Sequence, residues 1–285
     1  EYQGFPLFNT PDSMGRAVID AGFDIVQCAS NHSLDTKVEG MQHAIKFWKK
    51  HKNEIMMVGL NENEEEYNSI PIYECKGIKF AVLNYTYGLN GLKLPQEYSY
   101  IVNLMDKQHK EKVKSDIERA EKEADFTIVL PHWGQEYVQP EPIKEQVQWA
   151  KLMVEAGADL IIGTHPHVCE KIQWIKTDNG NKALCYYSLG NYTSGQQQWE
   201  TLMGGMATLT VRKDNKGRNL RPGETQRSDG SYMFVYKLGK KKKYIYDSDL
   251  AALRVKEKQL TKDADDGIRT QEAMKITLND MFKVL

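Results

Sequence analysis

Four of the seven histidines in this chain stand just past short apolar runs, among other side chains that can donate electron pairs. Asn31-His32 follows Asp24-Ile25-Val26-Gln27-Cys28, His132-Trp133-Gly134 follows a run ending at Leu130, and Gly163-Thr164-His165-Pro166-His167 follows Leu160-Ile161-Ile162. Imidazole nitrogens suit borderline divalent metals such as Zn²⁺, Mn²⁺ or Fe²⁺. His165 and His167, alternate residues with a rigid proline between them, can aim two nitrogens into one site, and the amide oxygen of Asn31 can complete such a shell. His43 and His51 on a charged helix, and His109 in a lysine-rich stretch, read as solvated surface.

For these groups to meet, their strands must lie side by side and end at the same edge. The pattern predicts that arrangement. Thr10-Pro11-Asp12-Ser13, with a capping hydroxyl and a proline at the first helical position, opens a helix closed by Gly22, residues 23–28 read as a buried strand, 38–50 as an amphipathic helix and 55–58 as a strand. Strands are expected over 70–75 and 78–85, then a turn-rich excursion over 89–102. A helix is expected over 104–124, a strand over 126–130, a helix over 143–156 and a strand over 159–162. Asp178-Asn179-Gly180 predicts a hairpin turn between strands at 170–175 and 183–187, and 206–211 reads as a further strand. Alternation of this kind argues for a layered α/β sheet, in which functional groups gather at the carboxyl ends of strands. The composition shifts after 212, so the expected division is 1–212 and a C-terminal extension, 213–285, with a lysine-rich loop or strand edge at 240–243 and helix over 251–285.

The 285 residues, 40% hydrophobic and 27% charged, are enough for one large domain or two modest ones. Lys and Arg total 38 against 39 Asp and Glu, a balance that supplies no general electrostatic reason to expect nucleic acid as partner. No stretch approaches the roughly 20 apolar residues of a membrane span. Cys28, Cys75, Cys169 and Cys185 have no metal-ligand spacing and read as buried thiols.

Taken together, Ala29-Ser30-Asn31-His32-Ser33-Leu34-Asp35, His132-Trp133-Gly134-Gln135-Glu136-Tyr137, Gly163-Thr164-His165-Pro166-His167-Val168 and Tyr187-Ser188-Leu189-Gly190-Asn191-Tyr192 resemble the CapA family of poly-γ-glutamate capsule biosynthesis proteins. That family is related to the calcineurin-like two-metal phosphoesterases, and the resemblance covers about residues 4–212. It implies a layered α/β/α metallophosphatase-like fold with mixed sheets flanked by helices. It also implies Asn31, His132, His165 and His167 as metal ligands, His32 as acid or leaving-group stabiliser, and Glu136 and Asn191 as pocket residues.

The families in question open with a Gly-Asp strand end and a further acidic residue, and no such segment precedes Asn31 here. The chain begins with Glu1 rather than Met, so that segment is expected to lie upstream, where an export signal or anchor could also lie; without its carboxylates, weak ion binding or none is expected. The implied function is metal-dependent hydrolysis or transfer in polymer assembly or export at the outer face of the cell membrane, with Mn, Zn or Fe as cofactor, two ions in the intact protein, and the polymer or its synthase as partner. A noncatalytic polymer- or synthase-binding component and a generic phosphomonoesterase are the alternatives. Lys93, Lys171 and Arg212 are the cations nearest in sequence that could meet a polyanion.

Overall fold

The computed structural model describes residues 2–265 apart from Arg218, Pro222, Gly239 and Lys240. The chain divides into two compact units, Glu1–Thr208 and Leu209–Leu285.

The first unit opens with α1 (Asp12–Asp20), β1 (Ile25–Gln27), α2 (Lys37–Lys50), β2 (Met56–Val58), the single turn α3 (Glu64–Tyr67), β3 (Ile72–Cys75) and β4 (Ile78–Thr86). It continues through α4 (Lys110–Glu123), β5 (Phe126–His132), α5 (Lys144–Ala156), β6 (Leu160–Ile162), β7 (Ile172–Lys176) and β8 (Lys182–Tyr186). Strands β3-β4-β5-β6-β8-β7 form one mixed sheet, in which β4, β5, β6 and β8 run parallel and the edge strands β3 and β7 antiparallel. β1 and β2 pair with each other, in parallel, as a separate two-stranded sheet. This is the layered α/β sheet that the alternation predicts, with the mixed strand directions and flanking helices that the resemblance implies.

The parallel strands stay extended because both of their faces are covered. Val113, Ile117 and Ala120 of α4 and Trp149, Ala150, Met153 and Val154 of α5 pack with Leu83, Val129 and Ile161 of the sheet. Each such fully buried aliphatic side chain contributes about 1.5–3 kcal/mol. A second cluster joins Val38, Met41 and Ile45 of α2 to Leu34, Leu60, Leu89, Ile101 and Val102. Gly163, just past β6, is dictated by close approach: a Cβ there would sit 2.1 Å from the Tyr187 carbonyl and 2.3 Å from Trp133 Nε1.

Two expectations for this unit fail for identifiable reasons. The helix expected from Leu104 starts at Lys110, because Leu104 and Met105 continue strand-like contact with Thr86, and Asp106 Oδ1 then accepts the Gln108 and His109 N–H groups in a turn. No strand forms over 206–211: Met206 is 82% exposed, so this apolar stretch has no face to bury, and β9 begins only at Arg212.

The second unit pairs β9 (Arg212–Lys213) with β10 (Asn219–Leu220) and builds an antiparallel sheet from β11 (Glu224–Gln226), β12 (Tyr232–Leu238) and β13 (Lys241–Asp247). α6 (Leu250–Asp265) covers one face through Leu250 and Leu253, against Tyr232, Phe234 and Ile245. Lys241, Lys242 and Lys243 therefore lie on a strand, while the rest of the helix expected over 251–285 falls outside the described residues. Lys and Arg outnumber Asp and Glu fifteen to eight over 209–265, whereas acids lead twenty-eight to twenty over 1–208. The near-neutral total conceals this asymmetry.

Candidate metal centre

The parallel register of β4, β5 and β6 sets the strand ends side by side, and the loops that leave them carry the predicted side chains. His132, the last residue of β5, bridges Thr164 just beyond β6, and the Trp133 N–H donates to the Thr164 carbonyl. Asn31, in the turn after β1, meets His132 from the other sheet: its Oδ1 accepts from His132 Nε2 at 2.8 Å. The His132 and His165 ring centres are 4.9 Å apart, and those of His165 and His167 are 6.3 Å apart. The four residues expected as ligands thus gather in one place.

His165 and His167 both have positive φ, 102° and 62°. Non-glycine residues pay on the order of 1–3 kcal/mol each for such backbone, and it persists where surrounding contacts over-determine it. Those contacts are present: Tyr87 lies against His165 with ring centres 4.8 Å apart, Tyr137 stacks on His167, and the Tyr137 N–H donates to the Pro166 carbonyl.

Two of the imidazoles are held from behind. His167 donates its Nδ1–H to Asn191 Oδ1 at 2.9 Å; the Asn191 amide is oriented by its own donation to the Thr201 carbonyl, so His167 keeps Nε2 as a free lone pair. His132 is the opposite tautomer. Its Nε2–H faces the Asn31 oxygen, whose identity is fixed by Asn31 Nδ2 donating to Asn90 Oδ1, and its Nδ1 accepts from Thr164 Oγ1 at 2.9 Å. A hydroxyl can give or take a hydrogen bond, so His132 can move its proton to Nδ1 and free Nε2 without losing Thr164.

Burial, and then the neighbouring imidazoles, push His132 down to about 3 and His165 to about 4. Both rings are therefore neutral at physiological pH, the form that ligates metals. His32 sits beside them, its Nδ1 held by Asp35 Oδ2 at 2.7 Å and its ring packed edge-on against Phe8. Glu136 is half-buried near Tyr87, whose hydroxyl is pushed up by burial first and by the Glu136 charge second.

The donor types fit one borderline divalent ion: neutral imidazoles with second-layer hydrogen bonds and an amide oxygen. They do not fit a pair, since among the described residues no carboxylate stands between the rings to bridge and neutralise two cations. Even for one ion the rings must turn inward, because among the described residues no three His, Cys, Asp or Glu side chains are disposed as they stand to hold a metal.

The profile of the bacterial capsule synthesis protein PGA_cap family matches residues 1–196, every one of the site residues included. The chain belongs to that family. The PGA_cap chain is similar to the PGA biosynthesis protein CapA of Bacillus subtilis, 29% identical over 70% of this chain and 50% of that protein, and to the capsule biosynthesis protein CapA of Bacillus anthracis, 30% identical over 64% of this chain and 42% of that protein. The PGA_cap chain spans about half the length of the curated relatives it matches. A solved Staphylococcus aureus structure described as a 5′-nucleotidase overlaps 64% of this chain and 42% of its own at TM-score 0.34 and 14% identity, too low to carry an argument. Residues 208–264 match a separate profile, the DNA binding domain of tn916 integrase.

Sequence reading missed several residues that shape this PGA_cap site. Asp35 stands three residues after His32, a spacing that signals a dyad once both lie in one turn. Thr164 lies inside a noted motif. Tyr87 and Asn90 belong to an irregular stretch with no local signal. Of the cations weighed for a polyanion, Lys171 pairs with Glu141 at 3.0 Å and Arg212 belongs to the second unit. The three histidines set aside pair with neighbouring acids: His43 with Asp12, His51 with Glu54 and His109 with Asp106. The four cysteines are free thiols; Cys185 is buried, the others half-buried, and burial pushes Cys28 up to about 12.

Proposed function

We propose that this chain acts in the assembly or export of a poly-γ-glutamate capsule, with the histidine cluster as a divalent-metal site for hydrolysis or transfer at a phosphoester or amide-like centre. Family membership and the names of the two Bacillus relatives support the pathway. The observation that carries the chemistry is the contact of Asn31 with His132 at 2.8 Å, continued by the His165 and His167 rings. His132, His165, His167 and Asn31 would hold the ion, which supplies polarisation of the scissile centre. His32, oriented by Asp35, would deliver or hold the proton of the leaving group. Asn191 orients His167, and Glu136 borders the pocket. We further propose that the intact protein works at the outer face of the cell membrane; no helix among the described residues is long and apolar enough to cross one.

Calorimetric titration with Zn²⁺ or Mn²⁺, together with turnover of p-nitrophenyl phosphate and of γ-glutamyl polymer, tests this. One ion bound, with turnover lost in His165→Ala, supports it. Neither ion nor turnover overturns the catalytic reading in favour of a noncatalytic polymer-binding component.

A second reading concerns 209–265 alone. Besides the profile match, the face of β12 and β13 turned away from α6 carries Lys237, Lys242, Tyr244 and Tyr246, with the Arg227 guanidinium 5.4 Å from the Tyr246 ring centre. A basic, aromatic antiparallel sheet suits phosphate contact in a DNA groove. Fluorescence anisotropy with labelled duplex should show binding that weakens steeply with salt and is lost in Lys242→Glu with Tyr244→Ala; salt-independent signal or none removes this reading.

A further inference from the structure

β1 and β2 share no ladder with the six-stranded sheet, so strand pairing alone does not set Asn31 against His132. One side chain ties the end of β1 to β5. Asn84 lies on β4, fully buried, and each half of its amide is used. Oδ1 accepts the Ala29 N–H at 2.7 Å and the Cys28 N–H at 3.1 Å, at the end of β1; Nδ2 donates to the Leu130 carbonyl of β5 at 2.7 Å and more weakly to the Ala29 carbonyl at 3.4 Å. Ala29 stands two residues before Asn31, and Leu130 two residues before His132.

We propose that Asn84 is the positioning residue of the histidine cluster, joining the two strand ends so that Asn31 and His132 meet. The proposal rests on reading that cluster as the functional site. The chemistry admits few substitutes, because the position must accept on the β1 side and donate on the β5 side. Aspartate would set a lone pair against the Leu130 carbonyl, and leucine would leave the buried Ala29 N–H unmet, the Cys28 N–H keeping the Val58 carbonyl at 2.9 Å. The space is equally restrictive. Gly59, at the end of β2 with φ 98°, passes so close that a Cβ there would lie 2.1 Å from Asn84 Oδ1 and 2.7 Å from the Ala29 nitrogen. Behind Asn84 the polar chain continues: its carbonyl accepts from Asn103 Nδ2 at 3.1 Å, and Asn103 Oδ1 accepts from Asn61 Nδ2 at 2.9 Å. The Asn103 backbone reaches Gly59 and Thr86, but the residue bonds neither Ala29 nor Leu130, which makes its side chain a control.

The test compares the whole chain with Asn84→Asp and Asn103→Ala, using circular dichroism for folding, the nuclear Overhauser contact between the Asn31 amide and the His132 ring for geometry, and Co²⁺ titration for the site. In Asn84→Asp the contact should vanish and Co²⁺ affinity fall about tenfold or more with the helix signal kept; in Asn103→Ala the contact should persist despite lower thermal stability. Should Asn84→Asp fail to fold, Asn84→Ser, read at lower temperature, takes its place with the same expectation. A contact that survives in the Asn84 variant, or that disappears equally in Asn103→Ala, overturns the proposal. A wild-type chain that shows the contact but takes up no Co²⁺ defeats the metal reading while the contact still decides the role of Asn84.

Discussion

Asp35 Oδ2 holds His32 Nδ1 at 2.7 Å and at the same time accepts the Phe8 N–H at 2.8 Å, while its other oxygen is buried without a hydrogen-bond partner. A buried carboxylate facing an imidazole fixes the ring's tautomer and leaves Nε2 as its exchanging atom. Asp35→Asn keeps the shape but removes the charge and puts an NH₂ where only acceptors are wanted. Turnover of p-nitrophenyl phosphate should fall by roughly 10²-fold with KM little changed, the loss expected when a proton-transfer group loses its orienting partner. An equal fall in folded fraction by circular dichroism would show that Asp35 acts only on stability.

The hydrogen bond from His167 to Asn191 gives a prediction of opposite signs. Asn191→Ala should weaken Zn²⁺ binding by about 10–100-fold, because His167 loses the acceptor that keeps its proton on Nδ1. Asn191→Asp should tighten binding in the folded chain, since a carboxylate makes the imidazole a stronger electron-pair donor, while the lost donation to the Thr201 carbonyl lowers stability. Calorimetric dissociation constants for the two variants check both directions.

What was legible in the sequence follows from which interactions are local. The three strand ends with four histidines stood out because an apolar run that stops at a polar turn is a local signal, and parallel strands in one sheet end at one edge. Asn84 carried no such signal: in Val82-Leu83-Asn84-Tyr85 it reads as a flaw in a strand, and its meaning depends on Ala29 and Leu130, both distant in sequence. The stretch 206–211 misled because apolar content predicts a strand only where something covers it. The charge balance hid an asymmetry because it averaged an acidic stretch with a basic one.

Glu170 is buried, donates nothing, and accepts from Gln146 Nε2 at 2.6 Å through Oε2, leaving Oε1 unmet; burial raises its pKa to about 7. The folded chain thus holds this proton more tightly than the unfolded chain, whose carboxyl titrates near 4.5. Ionisation therefore costs the folded state stability progressively as pH rises from about 4.5 to about 7, and the cost is constant above that. Glu170→Gln keeps an acceptor for Gln146 and removes the charge. It should stabilise the chain by on the order of 2–3 kcal/mol at pH 8, with the gain gone below pH 4.5, as read by urea unfolding at both pH values.

In the second unit Glu224 is buried, and Arg254 of α6 meets it with Nε at 2.8 Å and Nη2 at 2.9 Å, a two-point pair of the kind a guanidinium forms best. Glu224 Oε2 also accepts the Arg221 N–H at 2.7 Å, so the carboxylate ties the start of β11 to α6. Arg254→Leu would leave that charge buried without its counter-ion, and breaking one side of a buried pair costs about 3–5 kcal/mol. Such a loss is enough to unfold a unit of this size, so the variant should lose the protection of the β12 and β13 amides from hydrogen exchange. Adding Glu224→Gln removes the stranded charge while keeping an acceptor for the Arg221 N–H, and should restore most of that protection. If the double variant exchanges as fast as Arg254→Leu alone, α6 is held by the aliphatic stem of Arg254 rather than by its charge.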